Sequence, residues 1–109
     1  MEIEVKPKGT TTIVSLKGDF LGEDHHIALR ECVGKLVTQQ KKDFIVDLGG
    51  VQYINSSGLG SLVAVLTTVR RAGGDLRLAC LQTKVVDVVD LTNLGLIFEV
   101  FPTVDSALR

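Results

Sequence analysis

Several residue types that would point to particular functions are scarce in this chain. Its 109 residues include two cysteines, two prolines, one tyrosine and no tryptophan. Cys32 and Cys80 lie far apart and form no Cys-x-x-Cys pair, so the local geometry of a metal or redox motif is missing. We expect both thiols to be reduced and largely buried, although the sequence alone leaves a disulfide open.

The chain also lacks an excess of charge and a long apolar run. Twelve basic and thirteen acidic residues give a formal charge of −1, so no broad positive field would attract a nucleic acid. Apolar runs such as residues 62–66 are much shorter than the ~20 residues that cross a bilayer. The N-terminus mixes acidic, basic and apolar residues, unlike a secretory leader. We therefore expect a cytoplasmic protein that binds no nucleic acid and inserts into no membrane.

Hydrophobic residues recur with strand and helix periods along the whole chain. Alternation around Ile3 and Val5, and again over residues 11–17, predicts an N-terminal hairpin. The nearly continuous apolar run at 43–48 predicts a central strand that is covered on both faces. Two more strands are predicted at 75–80 and 97–101. The pattern breaks over residues 18–22, and a first helix is predicted at about 24–39. A second helix is predicted to follow the loop after the central strand and to end near Arg71, and a third covers 83–91. A short final helix is predicted with Pro102 in its first turn.

These patterns also predict which side chains face the core. Leu76, Leu78 and Cys80 alternate with Asp75, Arg77 and Ala79, which predicts a further strand. The apolar face of the first helix is expected to comprise Leu29, Val33, Leu36 and Val37. The third helix is expected to face the core with Val85, Val88, Val89 and Leu91. Arg70 and Arg71 followed by Gly73 and Gly74 predict the end of the second helix.

The order of elements predicts one α/β domain over residues 1–109. Strands that are separated by helices need right-handed crossovers, so the sheet should be mixed but mostly parallel, with about five strands and about four helices. Ligands of such sheets bind at the carboxyl ends of the strands. The loop from Gly49 to Ser57 follows the apolar strand and is therefore the expected site.

Polar and small residues are concentrated where this loop meets the second helix. Asn55, Ser56 and Ser57 precede Gly58 and Gly60, and a glycine in a helix interior costs about 1 kcal/mol relative to alanine. We interpret the glycines as leaving room for an approaching protein or phosphoryl donor. A phosphate here would lie beside free N–H groups at the positive helix end. The simpler interpretation, a cap by Asn55 or Ser56 worth ~1 kcal/mol, is compatible with a switch.

The run from Val46 to Gly60, followed by an apolar helix and two glycines, resembles the signature of STAS-domain anti-sigma factor antagonists of the SpoIIAA and RsbV type. The resemblance covers essentially the whole chain, including the turn at residues 18–19. It implies that a cognate serine kinase, itself an anti-sigma factor, phosphorylates Ser56. It also implies that only the unphosphorylated form binds the kinase and releases the sigma factor, and that a PP2C-type phosphatase restores this form. Such a protein is a substrate and a ligand, and not an enzyme.

The same resemblance implies a partner-binding surface. This surface would comprise Asn55, Ser57, Gly58 and Leu59, with Asp19 and Asp24 as secondary contacts. Asn55 stands where the family usually has an acidic residue. Asparagine keeps the capping oxygen but lacks the charge. Either Ser56 remains a switch with altered kinetics, or the chain is a STAS scaffold that binds without being phosphorylated.

Other functions find less support in the sequence. Asp24, His25 and His26 could suggest a metal, but adjacent helical side chains diverge by roughly 100° and no third ligand is suitably spaced. We expect an exposed polar turn there, with no metal and no cofactor. Ser56 has no activating base, which disfavours a small-molecule enzyme. The main rival is a STAS subunit of a lipid or anion transport complex or of another signalling assembly. The sequence assigns no oligomeric state.

Overall fold

The computed structural model describes residues 2–21 and 23–108. They form a five-stranded sheet with the spatial order β1-β2-β3-β4-β5. The elements along the chain are β1 (Glu2–Lys8), β2 (Thr11–Lys17), α1 (Glu23–Thr38), β3 (Asp43–Gly50), α2 (Ser56–Arg71), β4 (Asp75–Ala79), α3 (Thr83–Leu91), a 3-10 turn (Leu94–Leu96), β5 (Val100–Phe101) and α4 (Val104–Ala107).

The pairing of the strands confirms the predicted fold class. β1 and β2 form an antiparallel hairpin, while β2 with β3, β3 with β4 and β4 with β5 are parallel. The apolar strand β3 is central, as its nearly continuous hydrophobic sequence predicts. Four α-helices accompany the sheet among the described residues. Residue 22, in the predicted break after β2, lies outside the described part of the chain.

The two faces of the sheet are covered unequally. The larger core joins the sheet to α1, α2 and α3, and its helical members include Leu29, Val33, Leu62, Leu66, Val85 and Val89. A smaller core on the other face joins Ile13, Ile45 and Ala79 to Ala107 of α4. Within the described residues, no helix is both long and apolar enough to cross a membrane.

The end of α2 follows the predicted signal. Gly73 has a φ of +86°, a conformation that suits glycine, and its N–H donates to the Arg70 carbonyl at 3.0 Å. A Cβ atom on Gly74 would lie only 2.1 Å from the Lys42 carbonyl oxygen. The two glycines therefore end the helix and let the chain pass closely beside the start of β3.

Several predicted boundaries and faces are wrong. The last strand covers only Val100–Phe101, because residues 97 and 98 form a turn and a bend after the 3-10 turn. Leu91, expected in the core, is 84% exposed since α3 ends at that residue. Pro102 precedes the cap of α4, which is Thr103, instead of lying in its first turn. Cys32 and Cys80 are free and only half-buried, and Cys80 follows β4 with a φ of +64°.

Arg77, the charged residue in the middle of β4, is fully buried. Its guanidinium donates to both carboxylate oxygens of Asp43, at 2.7 and 3.2 Å, and its Nε donates to the Ala107 carbonyl at 2.7 Å. Thr11 donates its hydroxyl to the same carboxylate. This arrangement joins β2, β3, β4 and α4 around one buried charge. Side chains on both faces of β4 are therefore buried.

Candidate functional site

Two loops lie side by side at the carboxyl edge of the sheet. The Gly18 N–H donates to the Gly50 carbonyl, and the Phe20 N–H donates to the Tyr53 carbonyl, each at 2.9 Å. Phe20 and Ile54 form an isolated parallel bridge and are both buried. The chain that follows β2 is therefore fixed against the chain that leads into α2.

Asn55 joins these loops to the helix through both ends of its amide. Its Oδ1 accepts from the Gly58 N–H at 2.9 Å, which makes Asn55 the N-cap of α2. Its Nδ2 donates to the Leu21 carbonyl, also at 2.9 Å. Of the two predicted alternatives, Asn55 and not Ser56 is the cap, and the link to Leu21 is additional. A carboxylate could cap the helix, but it has no proton to donate to that carbonyl.

Ser56 and Ser57 are the first two residues of α2, and both are exposed. The first N–H groups of a helix have no partner within the helix, and they form its positive end. Asn55 occupies the N–H of Gly58, and the first turn of α2 contains no acidic residue. Two hydroxyls thus lie on the surface at a helix end that favours negative charge.

The two glycines of this turn have different surroundings. At Gly58, which is buried, a Cβ atom would lie 2.6 Å from Ile54 Cγ1 and 2.7 Å from the Phe20 carbonyl oxygen. The interpretation that Gly58 leaves room for an approaching protein is therefore wrong, because the space is occupied by the neighbouring loops. Gly60 is exposed with nothing within 4 Å of a Cβ position, so room for a ligand remains there.

The structure divides the predicted contact residues into two groups. Gly58 is buried and Leu59 is only 3% exposed, so both pack inside the protein and present no side chain to a partner. Asp19 and Asp24 are exposed, the first in the loop beside residues 53–55 and the second in the first turn of α1. The predicted surface is thus reduced to Asn55, Ser56, Ser57 and the two carboxylates.

Three exposed apolar side chains near this edge were not predicted. Leu21, Ile27 and Tyr53 are 48%, 49% and 43% exposed. The Tyr53 hydroxyl accepts from Lys84 Nζ at 2.9 Å, and that ammonium lies 4.4 Å from the centre of the ring. Tyr53 is the only tyrosine and follows a polar residue in the loop, which is the one signal in the sequence that could have identified it.

The histidines of α1 differ from the exposed polar turn that we expected. His25 and His26 are both half-buried, and His26 Nε2 lies 3.4 Å from Arg30 Nη1. Across the described residues, no group of three or more histidine, cysteine or acidic side chains could hold a metal ion. The half-buried position of the histidines follows from the packing of α1 against α2.

The surroundings of both cysteines raise the pKa of their thiols. Burial raises the pKa of the Cys32 thiol, despite the opposing effect of Lys35. Burial also raises the pKa of the Cys80 thiol, and the adjacent Asp47 carboxylate raises it further. Since the thiolate is the reactive form, both effects lower the reactivity of these cysteines at neutral pH.

Comparisons with known proteins agree with this architecture. A family model described as the STAS domain matches residues 2–107. The anti-sigma-B factor antagonist of Bacillus subtilis is 29% identical over 102 residues, which cover 92% of this chain and 90% of the relative. A solved anti-sigma factor antagonist from Mycobacterium paratuberculosis superposes with a TM-score of 0.85 at 24% identity, covering 97% of this chain and 89% of the other.

The anti-sigma factor antagonist SpoIIAA has the same fold at lower identity. Its unphosphorylated form superposes with a TM-score of 0.75 at 12% identity and covers 97% of this chain and 93% of SpoIIAA. A structure of Bacillus SpoIIAA in its phosphorylated form also gives a TM-score of 0.75, at 16% identity, and covers 97% of this chain and 96% of the other. The fold is thus the same as that of a relative solved in both phosphorylation states.

Proposed function

The chain belongs to the STAS-domain family, and from this premise we propose that it is a cytoplasmic anti-sigma factor antagonist. It binds a cognate anti-sigma serine kinase and thereby regulates transcription that depends on the sigma factor. Phosphorylation of Ser56 by that kinase ends the binding, and a PP2C-type phosphatase restores it. The chain is a ligand and a substrate in this cycle, and it catalyses no step.

The position of Ser56 carries this proposal. Its side chain is exposed at the first residue of α2, directly after an asparagine whose amide is engaged at both ends. Transfer of the γ-phosphoryl group of ATP to its Oγ adds about −1.5 to −2 charges at neutral pH. The positive end of α2 favours that charge, so the fold remains intact while the surface changes.

The surroundings of Ser56 support a protein partner. Exposed apolar side chains at Leu21, Ile27 and Tyr53 lie on the same edge of the molecule as the exposed carboxylates of Asp19 and Asp24. A few side chains, often aromatic ones such as tyrosine, supply most of the binding energy of protein interfaces, and charges at the rim favour the correct partner. A kinase surface with an apolar centre and basic groups at its rim fits this arrangement.

Asn55 is compatible with a switch at Ser56. It keeps the helix cap that a family aspartate would provide, and it also holds the Leu21 carbonyl. The serine therefore begins a capped helix, with the link to Leu21 in addition. What differs is the local charge, so the kinase must recognise the surface without a carboxylate before the serine. We propose altered phosphorylation kinetics instead of the loss of the switch.

The experiment follows the complex of the protein with its kinase when ATP is added. We expect the wild-type protein to dissociate as Ser56 is phosphorylated, whereas Ser56→Ala binds the kinase and remains bound. Thr67→Ala, which removes an exposed hydroxyl of α2 outside this surface, serves as the matched control and should dissociate like the wild type. ATP-dependent dissociation of Ser56→Ala at the wild-type rate would refute the switch. Failure of the unmodified protein to bind any such kinase would favour the rival function as a transport or signalling scaffold.

A further inference from the structure

A groove of about 500 Å3 runs between α1 and α2 beside the predicted switch. Its lining comprises His26 and Arg30 from α1 and Ser57, Gly60 and Ala64 from α2. Ser56 does not line it. The two adjacent serines at the start of α2 are therefore placed in different surroundings.

The contact between the two helices explains this difference. Ser61 is fully buried, and its hydroxyl donates to the His26 carbonyl at 3.4 Å. Residues four positions apart lie on the same helix face, so Ser57 lies one turn before Ser61 on the face that meets α1. Gly60 adds no side chain to the groove, which stays open at that point. Ser57 thus borders a space that α1 supplies with basic side chains.

The charge of the groove is unbalanced. Its lining includes an arginine and a histidine but no acidic residue. None of the ion pairs found among the described side chains involves Arg30. The Nδ1 atom of His26 is buried, without a hydrogen-bond partner among the described residues. Among its lining residues, the groove therefore presents the positive charge of Arg30 without a matching carboxylate.

We propose that Ser57 is a second phosphorylation site, whose phosphoryl group is held in this groove by the guanidinium of Arg30. A protein serine kinase transfers the γ-phosphoryl group of ATP: the Ser57 Oγ forms the new P–O bond, and the bond to the bridging oxygen of ADP breaks. The hydroxyl proton passes to a base of the kinase. Arginine suits this role because its planar guanidinium can donate two parallel hydrogen bonds to a phosphate.

The two phosphates would act differently. A phosphate on Ser56 changes the exposed surface, whereas one on Ser57 is drawn toward α1 and joins the two helices. The inference rests on the proposed function only for the presence of a kinase. The groove and its charges are independent of the identity of the partner.

The test places phosphoserine at residue 56 or at residue 57 by genetically encoded incorporation and follows the phosphate by 31P NMR as the pH changes. The second pKa of phosphoserine is about 6, and a positive charge nearby lowers it. We expect the pKa of the phosphate at residue 57 to be at least about half a unit below that at residue 56. Arg30→Gln should abolish the difference, whereas Arg71→Gln, which removes an exposed arginine at the other end of α2, should not.

The comparison is repeated in His26→Gln, which removes the histidine side chain from the lining of the groove. Most of the difference should persist there, because Arg30 remains charged throughout. Equal phosphate pKa values at the two positions, or a difference that survives Arg30→Gln, would overturn the proposal. Loss of the fold on phosphorylation at residue 57, detected by circular dichroism, would also overturn it. No kinase is used, so these outcomes are separate from failure of the proposed function.

Discussion

The two edges of the sheet use their polar residues in opposite ways. At the amino edge, Thr11, Asp43 and Arg77 bond to one another and to the end of α4, and the guanidinium is fully buried. At the carboxyl edge, Asn55 is similarly engaged, but Ser56 and Ser57 remain exposed beside it. The first group fixes the structure, while the second leaves two exposed hydroxyls beside a hydrogen-bonded asparagine.

The largest expected effect tests the amino edge. Asp43→Ala removes the carboxylate that pairs with Arg77, so that among the described residues the buried guanidinium keeps the Ala107 carbonyl as its remaining acceptor. We expect the free energy of unfolding to fall by about 3 kcal/mol, the lower end for a broken buried pair, because Asp43 is 28% exposed. Urea denaturation measures this change.

Asp105→Ala is the matched control for that experiment. Asp105 pairs with Lys8 at 3.6 Å, and its side chain is 86% exposed. An exposed pair of this kind contributes less than about 1 kcal/mol. Equal destabilisation by the two substitutions would show that the Asp43–Arg77 pair does not fix the amino edge.

This buried pair illustrates what the sequence could not predict. Arg77 occupies an alternating position in β4, and its burial depends on Asp43 and α4, which are distant in sequence. Leu91 was misplaced for a related reason, because periodicity does not reveal where α3 ends. The order of elements and the cap at Asn55 were predictable, since both depend on local patterns.

The next prediction compares two glycines in one turn of the carboxyl edge. Gly58→Ala places a Cβ atom against Ile54 and the Phe20 carbonyl, and we expect a loss of about 2 kcal/mol in unfolding free energy from overpacking. Gly60→Ala has open space and should gain up to about 1 kcal/mol from the helix preference of alanine. Chemical denaturation of both variants gives the values. A Gly58→Ala protein as stable as Gly60→Ala would contradict the close contact of the two loops.

A smaller effect concerns the two hydrogen bonds of Asn55. Asn55→Ala loses the cap and the link to Leu21, and we expect a cost of about 1 to 2 kcal/mol. Asn55→Asp keeps the cap and gains a favourable charge at the helix end, so it should differ from the wild type by less than about 1 kcal/mol. Thermal unfolding of the three proteins tests the order. If Asn55→Asp proves as unstable as Asn55→Ala, the link to Leu21 is the more important bond.

The smallest expected effect concerns the reactivity of the two cysteines. It tests whether the carboxyl edge, where Cys80 lies, contains an activated nucleophile. Because burial raises the pKa of the Cys32 and Cys80 thiols, iodoacetamide should alkylate both more slowly than free cysteine at pH 8. The rate should rise with pH as the thiolates form. Mass spectrometry follows the reaction at each residue. Alkylation of Cys80 faster than free cysteine would indicate an activated thiol at this edge.

The most direct test of the account measures the affinity of the cognate kinase for two forms of the protein, unmodified and with phosphoserine encoded at residue 56. Isothermal titration should show binding of the unmodified form and an affinity at least about tenfold lower for the phosphorylated form, a difference of about 1.4 kcal/mol in binding free energy. Equal affinities for the two forms would contradict the claim that Ser56 is the switch.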